Sequence, residues 1–516
     1  MKQWLEIMQQ NGVAEAATLG ARKQELLSAG TERLLDGDGN AVYVRSLQSA
    51  GGVVYAMARD ARGKKLLALG KNGFDSPFAE AVESVGGFYA LQADPVADNA
   101  GALHQLFPFT RPVSLRNERT TVGMGDRLGR ATPGHLRAAR QFALSPVLAQ
   151  QSIRELDFTG RTFADVVADA SFAVFQEGYE NGYGADGDHL KTIEAIDRAL
   201  EVHMPMITLD LTEVMLPEVA DWPQSKIDDG FAALNADFRS RVESEYAGKS
   251  FNLGQDTVIK ISAEEARMCA VMYGPALDFS QVVNDHLKQK TGDKYDLEIS
   301  IDETTTPTLP SHHLFIAREL QRRGVTVNSL APRFIGDFQK AIDYIGDIDE
   351  FERQLIVHCR IAEHFGTYKV SIHSGSDKFS VYPHFGKHTA GRVHLKTSGT
   401  SWLEALRVLA AREPAVYRTI HRKAFEYFPI ALKQYHITAD IDAIAALDDT
   451  SDAQLPAFLD DPNCRQLLHI SYGGLLNDAE IRGDFFHLLH VHEETYDQYL
   501  ERHFHKHMSL LGVAGV

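Results

Sequence analysis

The stretch Tyr368-Lys-Val-Ser-Ile-His-Ser-Gly-Ser-Asp-Lys-Phe379 decides how this chain reads: an alternating run ends in a histidine, passes through small residues and reaches an Asp-Lys pair. A short strand that stops at polar residues and leads into a helical pattern is the signature of a parallel α/β barrel. The same texture recurs from about residue 115. Thr121 to Gly125 runs into Asp126 and Arg127, and Tyr183 to Asp188 into His189, Leu190 and Lys191. Met206 to Leu209 meets Asp210, and Tyr295 to Ile301 meets Asp302 and Glu303. Val325 to Val327 precedes Asn328, Arg392 to Leu395 precedes Lys396, and Gln466 to Leu468 precedes His469. With Tyr368 to Ile372 before His373 the candidate strands number eight, as a TIM-type (β/α)8 barrel requires.

Apolar residues at three- and four-residue spacing predict helices over Thr162 to Gln176, Leu190 to Val202, Leu314 to Gly324, Glu350 to Gly366 and Trp402 to Arg412. Two connections are long: Asp210 to Tyr295 reads as extra helices and a hairpin, and Trp402 to Leu468 as largely helical. Upstream, apolar runs at Gly52 to Ala58 and Lys65 to Leu69 alternate with helical patterns, which predicts an N-terminal α/β subdomain over residues 1–110, scaffold or lid in character. Residues 111–516 form the predicted barrel domain, with helical insertions and a C-terminal helical segment.

A chain of 516 residues, 44% hydrophobic, can bury one large barrel with attachments. Its formal charge of -18 makes nucleic acid and anionic membrane surfaces poor partners, so an anionic substrate has to be met by local cations. Cys269, Cys359 and Cys464 are few, odd in number and far apart, which favours a reducing compartment. The start MKQWLEIMQQNG lacks a signal-peptide core and no run approaches a membrane span, so a cytoplasmic protein is expected. Oligomeric state is left open.

Strand C-terminal ends converge at the mouth of a TIM barrel, which brings four scattered clusters together. In Asp186-Gly-Asp188-His189-Leu190-Lys191, His189 offers a metal ligand and Asp188 a base, although Asp188 also suits an N-cap. In Asp302-Glu303-Thr-Thr-Thr-Pro-Thr308, with His312 and His313 following, Glu303 is a candidate acid or base and His313 a ligand, or else a solvated histidine pair. After the strand at Ser371, His373 reads as ligand or core histidine, and Lys378 of the Asp377-Lys378 pair as an anion partner. His394 and Lys396 share a strand face, so Lys396 offers another cation if that face points inward. Arg127 adds a weaker anion contact beside Arg111 and Arg116.

No Gly-x-Gly-x-x-Gly opens a helix after a strand; Gly123-Met-Gly125 lacks the third glycine. Walker A, Gly-x-Ser-x-Gly and Cys-x-x-Cys signatures are also missing. His487, His490, His492, His503, His505 and His507 in the tail read as solvated helix faces without a site.

The motifs Gly-Ala-Asp-Gly-Asp-His-Leu-Lys-Thr (184–192), Asp-Glu-Thr-Thr-Thr-Pro-Thr (302–308) and Ser-Ile-His-Ser-Gly-Ser-Asp-Lys-Phe (371–379) together resemble the tagaturonate epimerase family, and span most of the chain from about residue 110. The resemblance implies a barrel isomerase that uses a divalent metal cation (zinc, nickel, manganese or iron) and interconverts tagaturonate and fructuronate in hexuronate catabolism. Some relatives also act on fructose and tagatose. On that reading His189, His313 and His373 hold the metal, Asp188 and Glu303 serve as base and acid, and Lys191, Lys378, Lys396, Asp377 and Arg127 bind substrate. Retro-aldol chemistry is then favoured over transient oxidation, since no nicotinamide site is legible. A metal-dependent ketose isomerase or aldolase on the same barrel, or a non-catalytic carbohydrate-binding protein, are the rivals.

Overall fold

Eight parallel strands close into a barrel in strict chain order: β1 (Thr120–Met124), β2 (Ser145–Ser152), β3 (Gly184–Leu190), β4 (Met206–Asp210), β5 (Asp296–Ser300), β6 (Ser329–Ala331), β7 (Lys369–His373) and β8 (Val393–Thr397), which pairs back with β1. The structure, a computed structural model, describes residues 1–304, 306–373, 377–397 and 399–516. Ser374, Gly375 and Ser376, the small residues between His373 and the Asp-Lys pair, lie outside the described residues, as do Thr305 and Ser398.

Alternation along each strand separates two environments. Val122, Ile207, Leu209, Leu297, Ile299, Val370, Ile372, Val393 and Leu395 belong to one apolar cluster with the surrounding helices. Their alternate neighbours are polar and bond across the lumen. Lys396 on β8 reaches Asp186 on β3, and His373 on β7 reaches Glu298 on β5, links between non-adjacent strands that only a closed interior permits. This lumen is lined by ions rather than by the bulky aliphatic layers usual in such barrels. Gly123 on β1 makes room for it: a Cβ there would lie 1.9 Å from Gln150 Oε1.

Six of the predicted strands match observed ones. Two do not. Val325 to Val327 is the approach to β6, a strand of only three residues at Ser329–Ala331. Gln466 to Leu468 lies inside a helix, Pro462–Ile470, started by Pro462 at N1 and by the Asp461 carboxylate accepting from the Cys464 amide at 2.7 Å. A short apolar run cannot by itself distinguish a strand from a buried helical turn. The strand in its place, β2, carries Pro146 and Ala149, residues depleted in strands, and the polar pair Gln150 and Gln151 near its end.

The Asp210 to Tyr295 connection contains helices Gln224–Ala232, Ala236–Glu245 and Ala263–Thr291 and a hairpin of Lys249–Asn252 with Val258–Ile261. After β8, helices from Thr400 to Leu510 build a second apolar cluster. Residues 1–110 form a seven-stranded antiparallel sheet with Lys2–Gln10 and Ala16–Ser28 on one face. Its other face packs on Ala97–Leu106 and on the barrel helix Phe163–Glu177 through Phe172 and Phe175. Among the described residues, no helix is long and apolar enough to cross a membrane.

Candidate active site

His189, Asp302 and His373 meet at the C-terminal end of the barrel. His373 ends β7 and faces Lys396 in register on β8, and Asp302 follows β5 by two residues. His189 sits in β3 where the pairing with β4 shifts between Gly187 and Leu190, and its backbone is left-handed at φ 54°. That bulge turns a ring into the lumen that regular alternation would send outward. Asp302 Oδ1 lies 3.1 Å from His373 Nδ1 and 3.5 Å from His189 Nε2. The two rings cross edge to face at 5.1 Å.

These atoms fit a bound cation. His189 Nε2 and His373 Nδ1 are buried without a hydrogen-bond partner, yet both point at the same carboxylate. Donors about 2.0–2.2 Å from a tetrahedral ion stand ~3.3–3.6 Å apart, close to the separations seen. The other nitrogen of each ring is fixed by an acid: His189 Nδ1 to Asp188 at 2.5 Å, and His373 Nε2 to Glu298 at 2.6 Å. A carboxylate behind each histidine orients the ring and raises its basicity, as around bound metals.

Charge explains how so many acids share this space. Lys396, fully buried, lies 2.8 Å from Asp186, 2.7 Å from Asp188 and 3.6 Å from Glu298, and also bonds Thr208. Burial disfavours its ammonium, but these carboxylates outweigh burial and hold its pKa above the ordinary lysine value. Burial likewise opposes ionisation of Asp188, and Lys396 and His189 override it, so Asp188 stays well below the usual carboxylate range. Asp186 is pushed up to about 6 by burial, with Asp188 and Glu298 adding to it against Lys396. Burial disfavours charge on His189 and His373, but Asp188 and Asp302 for the one, Asp302 and Glu298 for the other, push both above the ordinary histidine value. Four carboxylates, Asp186, Asp188, Glu298 and Asp302, are thus met by the Lys396 ammonium and by protons on the two imidazoles, and a divalent cation can take the place of those imidazole protons.

A cavity of about 340 Å³ opens over this centre, lined by Asp188, His189, Asp302, Glu303, His373 and Lys396, with Arg154, Arg333, Lys340 and Tyr435 on its outer wall. Asp188 is free to face it because the following helix starts at Ile193 and is capped by Thr192, whose hydroxyl accepts from the Ala195 amide at 3.2 Å. Glu303 is exposed at the rim. Lys191, 3.1 Å from Glu213 and 3.6 Å from Asp210, stands with Arg127 and Glu303 around an adjoining cavity of about 350 Å³. None of residues 1–110 lines either cavity.

Other expected site residues lie elsewhere. His313 is fully buried between helices, its nitrogens 2.8 Å from His358 and 2.7 Å from the Tyr368 hydroxyl, so it does not join the centre. His312 is likewise turned away, 2.9 Å from the Tyr273 hydroxyl. Lys378 is buried and donates to the carbonyls of Gln339 at 2.7 Å and Ile342 at 2.6 Å; it fixes the loop that carries Lys340 rather than facing the cavity. Asp377 pairs with Arg465 at 2.7 Å, away from the mouth. Arg127 lines the adjoining cavity, where Glu155 at 2.6 Å and the Tyr472 ring at 4.0 Å hold its guanidinium while Nη1 makes no hydrogen bond. Lys396 is at the centre but bound to its acids.

Sequence reasoning missed Glu298 and passed over Asp302 as a ligand. The signal was present: Asp296, Glu298, Ser300 and Asp302 recur at period two, so one strand face carries them all inward.

The chain is similar to known proteins over nearly its whole length. The model of the tagaturonate epimerase (UxaE) family matches residues 43–511. A tagaturonate/fructuronate epimerase of Thermotoga maritima is 37% identical over 479 residues, covering 92% of this chain and 98% of that protein. A glycerol-complexed crystal structure of fructuronate-tagaturonate epimerase from Cohnella laeviribosi is 42% identical, covers 96% of this chain and 99% of its own, and superposes with a TM-score of 0.88. The native form of the same enzyme gives 0.87. With a family match across the barrel and its attachments, and with polar strand ends gathered at one mouth, this chain belongs to the tagaturonate epimerase family, isomerases acting on carbohydrates.

Proposed function

We propose that the protein interconverts tagaturonate and fructuronate, with a divalent cation held by His189, Asp302 and His373. The observation that carries the cation is the convergence of two imidazole nitrogens, neither in a hydrogen bond of regular geometry, on one Asp302 carboxylate oxygen. A cation there supplies Lewis acidity to a ketone oxygen, an effect worth several kcal/mol. The two ketouronates differ at the hydroxyl-bearing carbon β to the ketone, whose C–H is not acidic enough for direct removal. Asp188, a carboxylate that lines the cavity, takes the proton of that hydroxyl. The adjacent carbon–carbon bond then breaks to an aldehyde and an enediolate, the aldehyde turns its other face, and the bond re-forms. Glu303 at the rim is placed to return a proton to the new hydroxyl. Arg154 and Lys340 on the outer wall suit the distal carboxylate; among the described residues neither forms an ion pair. The three buried free thiols fit a cytoplasmic enzyme, and residues 1–110 fit a scaffold subdomain.

The test is an NMR time course on tagaturonate with the metal-analysed protein. Fructuronate alone should appear, chelator should stop the reaction and added metal restore it. An aldose product points to a ketose isomerase, and two released fragments point to an aldolase; either sinks the proposal. A neutral-ketose preference would show as faster turnover of tagatose than of tagaturonate.

A further inference from the structure

The C-terminal tail, read from sequence as solvated, hides a second convergence. His503 and His507 lie one turn apart on the helix Glu493–Leu510, their rings 4.6 Å apart, and both Nε2 atoms point at Asp377. Asp377 Oδ1 is 3.1 Å from His503 Nε2 and 3.3 Å from His507 Nε2, yet all three atoms are buried without a hydrogen bond. The separations approach the ~3.3 Å edge of a tetrahedron with donors about 2.0 Å from its centre. Histidines at i and i+4 on one helix are a recurrent way to present two nitrogens to one ion.

What stands behind these atoms is as specific as the atoms themselves. His507 Nδ1 donates to the His503 carbonyl at 2.9 Å, which leaves Nε2 as the lone-pair nitrogen. His503 Nδ1 faces Glu404 at 3.7 Å, a carboxylate behind a histidine. Arg465 holds Asp377 Oδ2 at 2.7 Å and leaves Oδ1 to the histidines. A cavity of about 300 Å³ reaches Asp377, Glu404 and His503, so an ion has an entry path and room for a fourth ligand.

We infer that Asp377, His503 and His507 form a second divalent-cation site of zinc type, separate from the barrel mouth, that ties the segment after β7 to the last helix. Its role is structural: Asp377 lies four positions beyond His373, and the neighbouring Lys378 fixes the loop at Gln339 and Ile342 over the first site. A structural ion of this kind contributes its binding free energy to the folded state.

Zinc content measured by plasma mass spectrometry after reloading with zinc(II) tests this. The wild type should hold two equivalents, His507→Ala one, His373→Ala one, and the double variant none. Zinc should also raise the thermal midpoint of His373→Ala but not that of the double variant. One equivalent that survives His507→Ala and vanishes with His373→Ala overturns the inference. One equivalent with the opposite dependence upholds it and sinks the cation reading at the mouth instead. Should His507→Ala fail to fold, zinc-edge anomalous diffraction from wild-type crystals decides. A peak bonded to Asp377, His503 and His507 supports the site, and its absence under zinc soaking refutes it.

Discussion

Two histidine pairs, one at the barrel mouth and one between helices, differ in almost everything but residue type. His189 and His373 cross at the barrel mouth among Asp188, Glu298 and Asp302. His313 and His358 pack between helices with Tyr368 and the apolar ring of Phe334. Burial alone pushes His358 down to about 3, and burial together with His358 pushes His313 well down, so this pair is neutral. The mouth pair is drawn the other way by its carboxylates. A histidine near a strand end therefore becomes a ligand candidate through the acids behind it, and without them it is a hydrogen-bonded core residue.

The sharpest way to break this contrast is His373→Ala, which should lose the metal of the mouth and at least ~10³-fold in kcat/KM while far-UV circular dichroism is unchanged. Retention of full metal and activity would end the assignment. Asp188→Asn should cost about 10²–10³-fold in kcat with the mouth metal retained, since it removes a proton acceptor and not a ligand; steady-state NMR rates alongside metal analysis check it. Glu298→Gln removes the acid behind His373 and should weaken metal binding ~10–100-fold in a competition titration with a chromogenic chelator. His313→Ala should leave metal content unaltered and activity within a few-fold, yet destabilise the fold by about 2–4 kcal/mol in urea, by opening a cavity and stranding His358 and Tyr368.

The neutral pair also has a pH signature. The folded pKa of His358 lies below the unfolded value near 6.5, so the unfolded chain takes up that proton first as pH falls. Its contribution to stability is intact above about 6.5 and lost as pH drops from there toward 3. Urea midpoints should fall less steeply over that window in His358→Gln than in the wild type.

Much of this was legible in the sequence because a barrel writes its active site at strand ends. Asp188, His189 and His373 each close a strand whose alternation is plain, and the structure brings them together. His313 was misleading because it, too, follows a strand end, and only the packing of Pro310–Arg322 against Ile348–His364 reveals that it faces His358. Glu298 was hidden by expectation: a fully buried acid inside a strand is read as a flaw until the opposing His373 and Lys396 are known. His503 and His507 were hidden by the polar tail around them, where His505 and Lys506 are indeed exposed.

The left-handed backbone of His189 has a further bearing on how this enzyme will respond to engineering. A side chain with a Cβ is disfavoured there by roughly 1–2 kcal/mol, and glycine is not. His189→Gly would relieve that strain but strip Asp188 of its imidazole partner and open a space beside the His373 ring, so it exchanges one cost for another and gives up the chemistry as well. Any stabilisation campaign on this scaffold needs a turnover screen running beside it from the first round.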